Sequence, residues 1–383
     1  MITILFWAAA GLVLYVYVGY PLLLLLLRSI VGRKPPPPGD QQPHVTLVIS
    51  AYNEAEIIGE KLANSAALDY PAARLEILVV SDASSDGTDA IVESATDTRV
   101  RLLRMRERGG KTLGLNEAAR VASGEILVFS DANAMYLRDA LRMLVRGFAD
   151  PQVGAVVGES TYAESTAGAD REESLYWRYE VTIKELESAI GSVVGGDGAI
   201  YAIRRDLYRP MRADALSDFV NPLQIVASGH RCVYEPAARS VEEAAGDFGR
   251  EFRRKVRIVN RAWRATMTMA RLLNPLRYGF FAVQLLSHKL LRWLVPAFLL
   301  IVLATNLALL QSGWIYVIAL AAQLVLYALA ALGYAWRRRS RVPRIVAVPF
   351  YFVMVNYASA LGILDAYRGK TYTTWTTARA GGP

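Results

Sequence analysis

The chain has 383 residues, 53% of them hydrophobic, and its mean hydropathy of +0.23 is high for a soluble enzyme. Its formal net charge is +8, and much of the arginine excess stands beside apolar stretches, as at Arg337, Arg338 and Arg339. That placement favours anionic lipid headgroups as partners and excludes a nucleic-acid-binding protein, because no recognition motif accompanies the charge. Cys232 is the only cysteine, which excludes a disulfide framework and fits a reducing cytoplasm.

The first predicted element is an uncharged apolar run from Ile4 to Leu27. It is long enough to cross a hydrocarbon core of about 30 Å at about 1.5 Å per residue. We assign 1–28 to an N-terminal transmembrane helix and 29–44 to a stiff, proline-rich linker. The positive-inside rule places the next domain in the cytoplasm, because the span is followed by Arg28, Arg33 and Lys34.

The segment 45–270 alternates short β-rich runs with amphipathic stretches. Strands are predicted at Val45–Ser50, Leu75–Val80, Val100–Leu103, Glu125–Ser130 and Val153–Gly158. Helices are predicted at Glu54–Ala66, Asp86–Ser94, Lys111–Ala122 and Leu137–Phe148. This alternation is typical of a parallel, nucleotide-binding α/β sheet. The less regular half, from about Ser160 to Ala270, is predicted to bind the acceptor.

The C-terminal part, 271–383, returns to membrane character. Phe280 to Arg292 has the pattern of a helix in the membrane interface, and spans are predicted at about Leu294–Leu310 and Trp314–Trp336. The last apolar stretch, Ile345–Ile363, either spans or lies in the interface; Pro349, Asn356 and Ser359 interrupt it and favour an interfacial or re-entrant helix with a cytoplasmic tail. The chain is therefore predicted to be an integral protein of the inner or plasma membrane.

Polar side chains follow the first two predicted strands, where parallel α/β sheets place their ligand crevice. Glu54 could bond a ribose or a base edge; the alternative is a helix cap formed by Asn53 with Glu54 in the first turn. Asp82 is placed to accept from a nucleobase N–H. Asp86 is interpreted as a local turn or helix cap.

Two further clusters suit a diphosphate and a metal ion. Gly109-Gly110-Lys111 opens a helix, offering backbone N–H groups and an ammonium to phosphates, although a glycine turn before an ordinary helix is the alternative. Asp131 and Asn133 follow an apolar strand as an i, i+2 pair of oxygen side chains, which Mg²⁺ and Mn²⁺ prefer. An Asx turn is the alternative for that pair.

Taken together and in this order, these clusters resemble the family 2 glycosyltransferases over Val45 to about Ala270. Three further segments contribute to the resemblance: Gly195-Gly196-Asp197-Gly198, Leu216-Ser217-Asp218-Phe219 and Arg254-Lys255-Val256-Arg257-Ile258. The resemblance implies a GT-A fold, which is a Rossmann-like nucleotide-binding cytoplasmic domain, here between N- and C-terminal transmembrane or interfacial helices.

The resemblance also assigns a donor site. It implies that Tyr52, Glu54 and Asp82 contact a uridine-type nucleotide and that Lys111 lies near its diphosphate. Asp131 would be the metal-binding aspartate for Mg²⁺ or Mn²⁺. Asn133 stands where the usual Asp-x-Asp pattern has its second Asp, which puts the second direct metal ligand in doubt.

The remaining assignments concern the acceptor and the leaving group. Gly196, Asp197 and Gly198 look like the acceptor-site loop, and Asp218 matches the general base of an inverting transfer; helix capping is its alternative role. Arg254 and Arg257 occupy the place of the family's Gln/Arg-x-x-Arg-Trp motif and would bind the diphosphate, with a basic face against the membrane as the alternative. Ile258 replaces the expected Trp, which weakens an expectation of processivity.

The sequence thus predicts an inverting, metal-dependent glycosyltransferase that moves a sugar, N-acetylglucosamine or glucose, from a UDP-sugar to a polysaccharide or lipid-linked acceptor. Two alternatives stay open. One is a non-processive enzyme that glucosylates a lipid. The other is a catalytically silent scaffold of a polysaccharide export complex, against which the joint presence of Asp82, Asp131 and Asp218 argues.

Overall fold

The computed structural model describes residues 1–32, 41–162, 169–242, 248–337 and 342–374. The chain divides into two compact units. The helical unit comprises Met1–Val31, Ser165–Ile183 and Ala245–Thr371, and the sheet unit comprises Gly32–Glu164, Lys184–Ala244 and Tyr372–Pro383.

The strands of the sheet unit are β1 (Val45–Ala51), β2 (Leu75–Ser81), β3 (Val100–Arg104), β4 (Ile126–Asp131), β5 (Met135–Tyr136), β6 (Val153–Tyr162), β7 (Tyr201–Arg204) and β8 (Arg231–Glu242). They form one sheet in the order β3-β2-β1-β4-β7-β6-β8-β5. The four strands from β3 to β4 are parallel, β7 is antiparallel to β4 and β6, β8 is parallel to β6, and β5 is antiparallel to β8. The predicted parallel sheet is therefore its first half, and the whole sheet is mixed.

The helices in chain order are α1 (Ile2–Val31), α2 (Ile58–Ala66), α3 (Thr88–Glu93), α4 (Lys111–Val121), α5 (Ala140–Arg146), α6 (Ala169–Ile190), α7 (Ser217–Ala227), α8 (Phe248–Thr268), α9 (Pro275–Tyr278), α10 (Phe280–Ala308), α11 (Trp314–Trp336) and α12 (Arg344–Tyr367). Short 3₁₀ turns lie at Ala72–Arg74, Gly147–Ala149, Arg205–Leu207, Ala270–Leu273 and Leu310–Ser312.

The core of the sheet unit explains why its strands form. Every residue of β1 and β2 is buried, as near-continuous apolar runs are in a parallel sheet covered on both faces. Residues from α2, α5 and β1 share one apolar cluster, which includes Ile49, Ile58 and Leu144. Gly124 lets the chain enter β4, since a Cβ there would lie 2.4 Å from the Thr46 nitrogen. The site-bearing strand ends are thus fixed from both faces.

Four helices of the helical unit, α1, α10, α11 and α12, are long and apolar enough to cross a membrane by length and composition. The predicted interfacial segment from Phe280 and the span after it form one continuous helix of 29 residues, with a π-helical stretch at Leu285–Leu290. Helix α12 has 24 residues and also meets these criteria. Phe6 of α1 packs edge-on against Tyr316 of α11.

A buried ion cluster lies within the helical unit. The carboxylate of Glu180 pairs with Arg292, accepts from His288 Nε2 at 3.1 Å, and lies 3.9 Å from Lys289 Nζ. Burial opposes ionisation, but these three groups, led by Arg292, hold the pKa of Glu180 well below its usual value. Such a cluster stabilises one arrangement of the helices because either charge left alone would be costly.

Candidate active site

The loops after β1 and β2 are tied together at the carboxyl edge of the sheet. Asn53 Oδ1 accepts from Ser85 N at 2.8 Å, and Asn53 N donates to Ser84 Oγ at 3.1 Å. Asn53 and Ala83 both have positive φ, 52° and 57°, a conformation that costs energy for a residue with a side chain. Helix α2 begins at Ile58, so Asn53 joins the two loops and does not cap the helix.

The interpretation of Asp86 as a turn residue is confirmed. Asp86 Oδ1 accepts from Thr88 N at 3.1 Å, and its Oδ2 accepts from Ala55 N at 3.0 Å. Thr88 Oγ1 in turn accepts from Glu54 N at 2.9 Å. The backbone of Glu54 is therefore fixed, and the predicted contact of its side chain with a nucleotide stays a prediction.

Asp82 shapes the turn that leads into α4. Its side chain is buried, Oδ1 accepts from Gly109 N at 2.8 Å, and Oδ2 accepts from Gly110 N at 2.9 Å. Gly110 has a φ of +87°, and a Cβ there would lie 2.2 Å from the carbonyl oxygen of Thr373, which belongs to the same unit. The sequence suggested a nucleobase contact for Asp82; its partners in the structure are these two backbone amides.

Tyr52 has a cationic neighbour that sequence reasoning missed. The guanidinium carbon of Arg108 lies 3.7 Å from the centroid of the Tyr52 ring. Arg108 precedes the Gly109-Gly110 turn, so the stacking joins the end of β1 to the turn before α4. The predicted contact of Tyr52 with a nucleotide stays a prediction.

Lys111 and Asp131 meet at the centre of this edge. Lys111 Nζ donates to Asp131 Oδ1 and, at 3.0 Å, to the carbonyl oxygen of Gly198. Asp131 ends β4 beside Ser50 of β1. The ammonium therefore joins the predicted metal-binding aspartate to the predicted acceptor loop.

A buried lysine supports the turn behind Asp131. Its role was not predicted from the sequence, because it lies on an ordinary amphipathic helix. Lys61 Nζ donates to Ser130 Oγ at 2.8 Å and to the carbonyl oxygen of Ala134, and lies 4.3 Å from the centroid of the Tyr136 ring. Burial lowers the pKa of Lys61 to about 7 although Asp131 attracts its proton. The lysine thus holds both ends of the turn that contains Asp131 and Asn133.

The side-chain oxygens of Asp131 and Asn133 suit a cation that also binds a substrate phosphate. Asp131 and Asn133 are both partly exposed at the edge of the sheet. Within the described ranges, no three His, Cys, Asp or Glu side chains form a group that could hold a metal ion. Mg²⁺ and related ions take one or two carboxylates and complete their shell with water and substrate phosphates. The residues therefore fit an ion completed by a diphosphate, with Asp131 as the anionic ligand.

The acceptor loop and the predicted base lie against each other. Gly196 N donates to the backbone oxygen of Asp218 at 2.6 Å. A Cβ on Gly198 would lie 3.5 Å from both Asp218 Oδ2 and Lys111 Nζ. Asp197 Oδ1 accepts from Ala199 N at 3.2 Å and closes the loop. The structure thus brings Lys111, Gly198 and the Asp218 carboxylate together.

Asp218 lies in the first turn of α7, which begins at Ser217 with Leu216 as its N-cap. It is therefore not the capping residue, although a carboxylate in the first turn is stabilised by the helix dipole. Arg254 and Arg257 lie on α8 of the helical unit, where Arg254 Nε donates to Glu251 Oε2 at 2.6 Å. Their predicted contact with a diphosphate is not tested by this arrangement.

Comparison with known proteins identifies relatives of part of the chain. The family described as "Glycosyl transferase family 2" matches residues 46–210. Over 118 residues the chain is 36% identical to beta-monoglucosyldiacylglycerol synthase of Synechocystis sp., covering 30% of this chain and 25% of that protein. Over 206 residues it is 24% identical to poly-beta-1,6-N-acetyl-D-glucosamine synthase of Staphylococcus aureus, covering 52% and 50%. The chain spans half or less of the length of these relatives.

A solved structure matches nearly the whole chain. It is the mannosyltransferase PcManGT from Pyrobaculum calidifontis in complex with GDP-Man and Mn²⁺, with a TM-score of 0.73 and 26% identity over 96% of this chain and 99% of that protein. The predicted GT-A fold with apolar terminal helices and the predicted resemblance to family 2 are confirmed.

Proposed function

We propose that this chain, which carries a glycosyl transferase family 2 domain, is a membrane-bound inverting glycosyltransferase with a nucleotide-diphosphate sugar as its donor. The observation that carries the proposal is that Lys111 Nζ bonds both Asp131 and the Gly198 carbonyl oxygen, and that the Asp218 carboxylate lies beside Gly198. One edge of the sheet thereby offers an ammonium for phosphate, a carboxylate for a cation and a second carboxylate for a proton.

The reaction is a single displacement. The acceptor hydroxyl attacks the anomeric carbon as the bond to the nucleoside diphosphate breaks, and Asp218 accepts the hydroxyl proton on the opposite face. Lys111 neutralises part of the charge on the departing diphosphate. A Mg²⁺ or Mn²⁺ ion held by Asp131, with Asn133 as a weaker ligand, would stabilise the same leaving group.

The glycines of the acceptor loop give the acceptor room to approach. A side chain at Gly198 would stand between Asp218 Oδ2 and Lys111 Nζ, the two groups that must face the reacting atoms. The loop of Gly196, Asp197 and Gly198 therefore binds the acceptor sugar, with Asp197 bonding its hydroxyls.

The donor proposed is a UDP-sugar, with glucose or N-acetylglucosamine as the sugar. The names of the Synechocystis and Staphylococcus relatives support these two sugars. A GDP-sugar is the second candidate, because the structure that matches 96% of this chain holds GDP-Man. Tyr52, Glu54 and Asp82 are the residues of the sheet unit proposed to contact the nucleotide.

The acceptor is proposed to be a glycan or a lipid-linked group at the inner or plasma membrane. The four candidate spans support a membrane location, and the cations after α1 support a cytoplasmic sheet unit. Non-processive glycosylation of a lipid is the alternative. It is favoured by Ile258, which stands where the family motif has Trp, and by the name of the Synechocystis relative.

The test is nucleotide release by the detergent-purified chain given UDP-glucose, UDP-N-acetylglucosamine or GDP-mannose with Mn²⁺ or Mg²⁺. Asp218→Asn should reduce release by roughly a hundredfold or more, as loss of a general base does. Asp206→Asn is the matched control, because Asp206 is an exposed aspartate in the 3₁₀ turn after β7. Equal rates for Asp218→Asn and the control would remove Asp218 as the base.

A further inference from the structure

A second polar surface lies next to the acceptor loop, on the face formed by β6 and β8. Gly196 approaches the Val157 side chain, with a Cβ position 3.4 Å from Val157 Cγ2. Val157 is the register partner of Tyr234, and Glu159 follows two residues later on the same face. Tyr234 and Glu159 therefore flank the residue on which the acceptor loop rests.

A register shift fixes the spacing of these two side chains. Between the pairs Val157–Tyr234 and Glu159–Arg239, β8 has four residues opposite the single residue Gly158 of β6. A Cβ on Gly158 would lie 2.6 Å from the Ala238 oxygen, so the bulged chain approaches the backbone of β6 closely. Bulges of this kind re-aim side chains beside active sites.

The Tyr234 hydroxyl is buried without a hydrogen-bond partner among the residues that the structure describes. The residue as a whole is 8% exposed. Its backbone N–H is bonded to Ser188 Oγ at 2.9 Å, and Lys184 Nζ lies 5.7 Å from its ring centroid. A phenol held this firmly, with an unused donor, suits a ligand that supplies an acceptor oxygen.

The charges of three carboxylates act on this hydroxyl. Burial, followed by the charges of Glu159, Glu185 and Asp197, raises the pKa of Tyr234, so the phenol stays protonated and donates. Arg239 Nε lies 3.7 Å from Glu159 Oε2 and Lys184 lies at the ring, so three carboxylates face two cations. The excess of carboxylates over cations disfavours an anionic ligand at this cluster.

We propose that Tyr234 and Glu159 form an acceptor subsite beside Asp197 that binds sugar hydroxyl groups, with Tyr234 donating and Glu159 accepting. The subsite selects a hydroxyl-rich, uncharged acceptor over a lipid phosphate, because a phosphate would face the carboxylates of Glu159 and Asp197. This inference rests on the proposed function and adds to it the chemical class of the acceptor.

The test compares Tyr234→Phe and Glu159→Gln with wild type, using chitotriose, dioleoylglycerol and a polyprenyl phosphate as acceptors and the donor that wild type turns over. Each variant should raise the KM for chitotriose roughly three- to tenfold, the effect of one hydrogen bond. Tyr70→Phe is the control, because it removes one hydroxyl bonded to the Pro43 carbonyl oxygen at the other end of the sheet.

A binding measurement separates failure of this inference from failure of the proposed function. Saturation-transfer NMR of chitotriose with the full chain and UDP should give a signal that weakens in Tyr234→Phe and persists in Tyr70→Phe, even where turnover is absent. Equal KM and equal NMR signal in wild type and Tyr234→Phe would overturn the subsite. For Glu159→Gln, a KM for chitotriose equal to that of wild type, together with an unchanged KM for the polyprenyl phosphate, would also overturn it.

Discussion

Replacing Lys61 by methionine should change how the stability of the protein depends on pH. Lys61 is fully buried, and burial lowers its pKa from 10.5 to about 7. Between these values the unfolded chain holds a proton that the folded chain lacks, so folded stability rises with pH in this window and is lost as pH falls toward 7. Lys61→Met removes this dependence.

The expected size follows from the two pKa values. Well inside the window each pH unit changes the free energy of unfolding by about 1.4 kcal/mol, and the slope is smaller close to the folded pKa. From pH 7 to pH 9, wild type should therefore gain about 2 kcal/mol relative to Lys61→Met.

The assay is chemical or thermal unfolding of the detergent-purified chain at pH 7, 8 and 9. Lys370→Met is the control, because the Lys370 side chain is 56% exposed and should follow wild type at every pH. A constant difference between wild type and Lys61→Met across the three pH values would refute the burial of a titrating lysine behind the turn that contains Asp131.

Three further changes have expected outcomes. Gly196→Ala should lower kcat/KM for transfer at least tenfold, because its Cβ would lie 2.9 Å from the backbone oxygen of the proposed base, whereas Gly191→Ala enters open space and should keep wild-type kinetics. Arg292→Ala should lower the apparent melting temperature in detergent and cost on the order of 3 kcal/mol, since it leaves Glu180 buried and less compensated; an unchanged melting temperature would contradict this. In wild type, hydrogen bonds to Glu76 lower the pKa of its carboxyl against the effect of burial. Glu76→Gln should weaken these bonds, so the variant should be less stable than wild type at pH 7, and the difference should shrink in acid as wild type becomes protonated. A difference that persists undiminished in acid would contradict this.

The sheet could be predicted from the sequence where strands are fully buried. β1 and β2 are continuous apolar runs, and each predicted strand ends within one residue of the observed end. β8 gave no such pattern, because Pro236 and charged residues interrupt it at the bulge opposite Gly158. Strands β5, β7 and β8 were not predicted, so the mixed half of the sheet was missing from the prediction.

The candidate site shows the same division. Asp131 and Lys111 could be placed from their positions after a strand and a glycine turn, and the structure joins them. The role of Lys61 could not be predicted, because a lysine at helical spacing gives no sign that its ammonium turns inward to the Ser130 hydroxyl and the Ala134 carbonyl oxygen. The hydrogen bonds that Asp82 accepts from the backbone amides of Gly109 and Gly110 likewise depend on the loop geometry, which the sequence pattern does not show.

The most direct test of the central claim is donor turnover by the full chain in detergent, with lipid extract added, before and after chelation of divalent metal. We predict release of one nucleoside diphosphate from one sugar donor, loss of release on chelation, recovery with Mn²⁺ or Mg²⁺, and a product whose anomeric configuration is inverted. Release from no donor under any condition, or a product of retained configuration, would contradict the account.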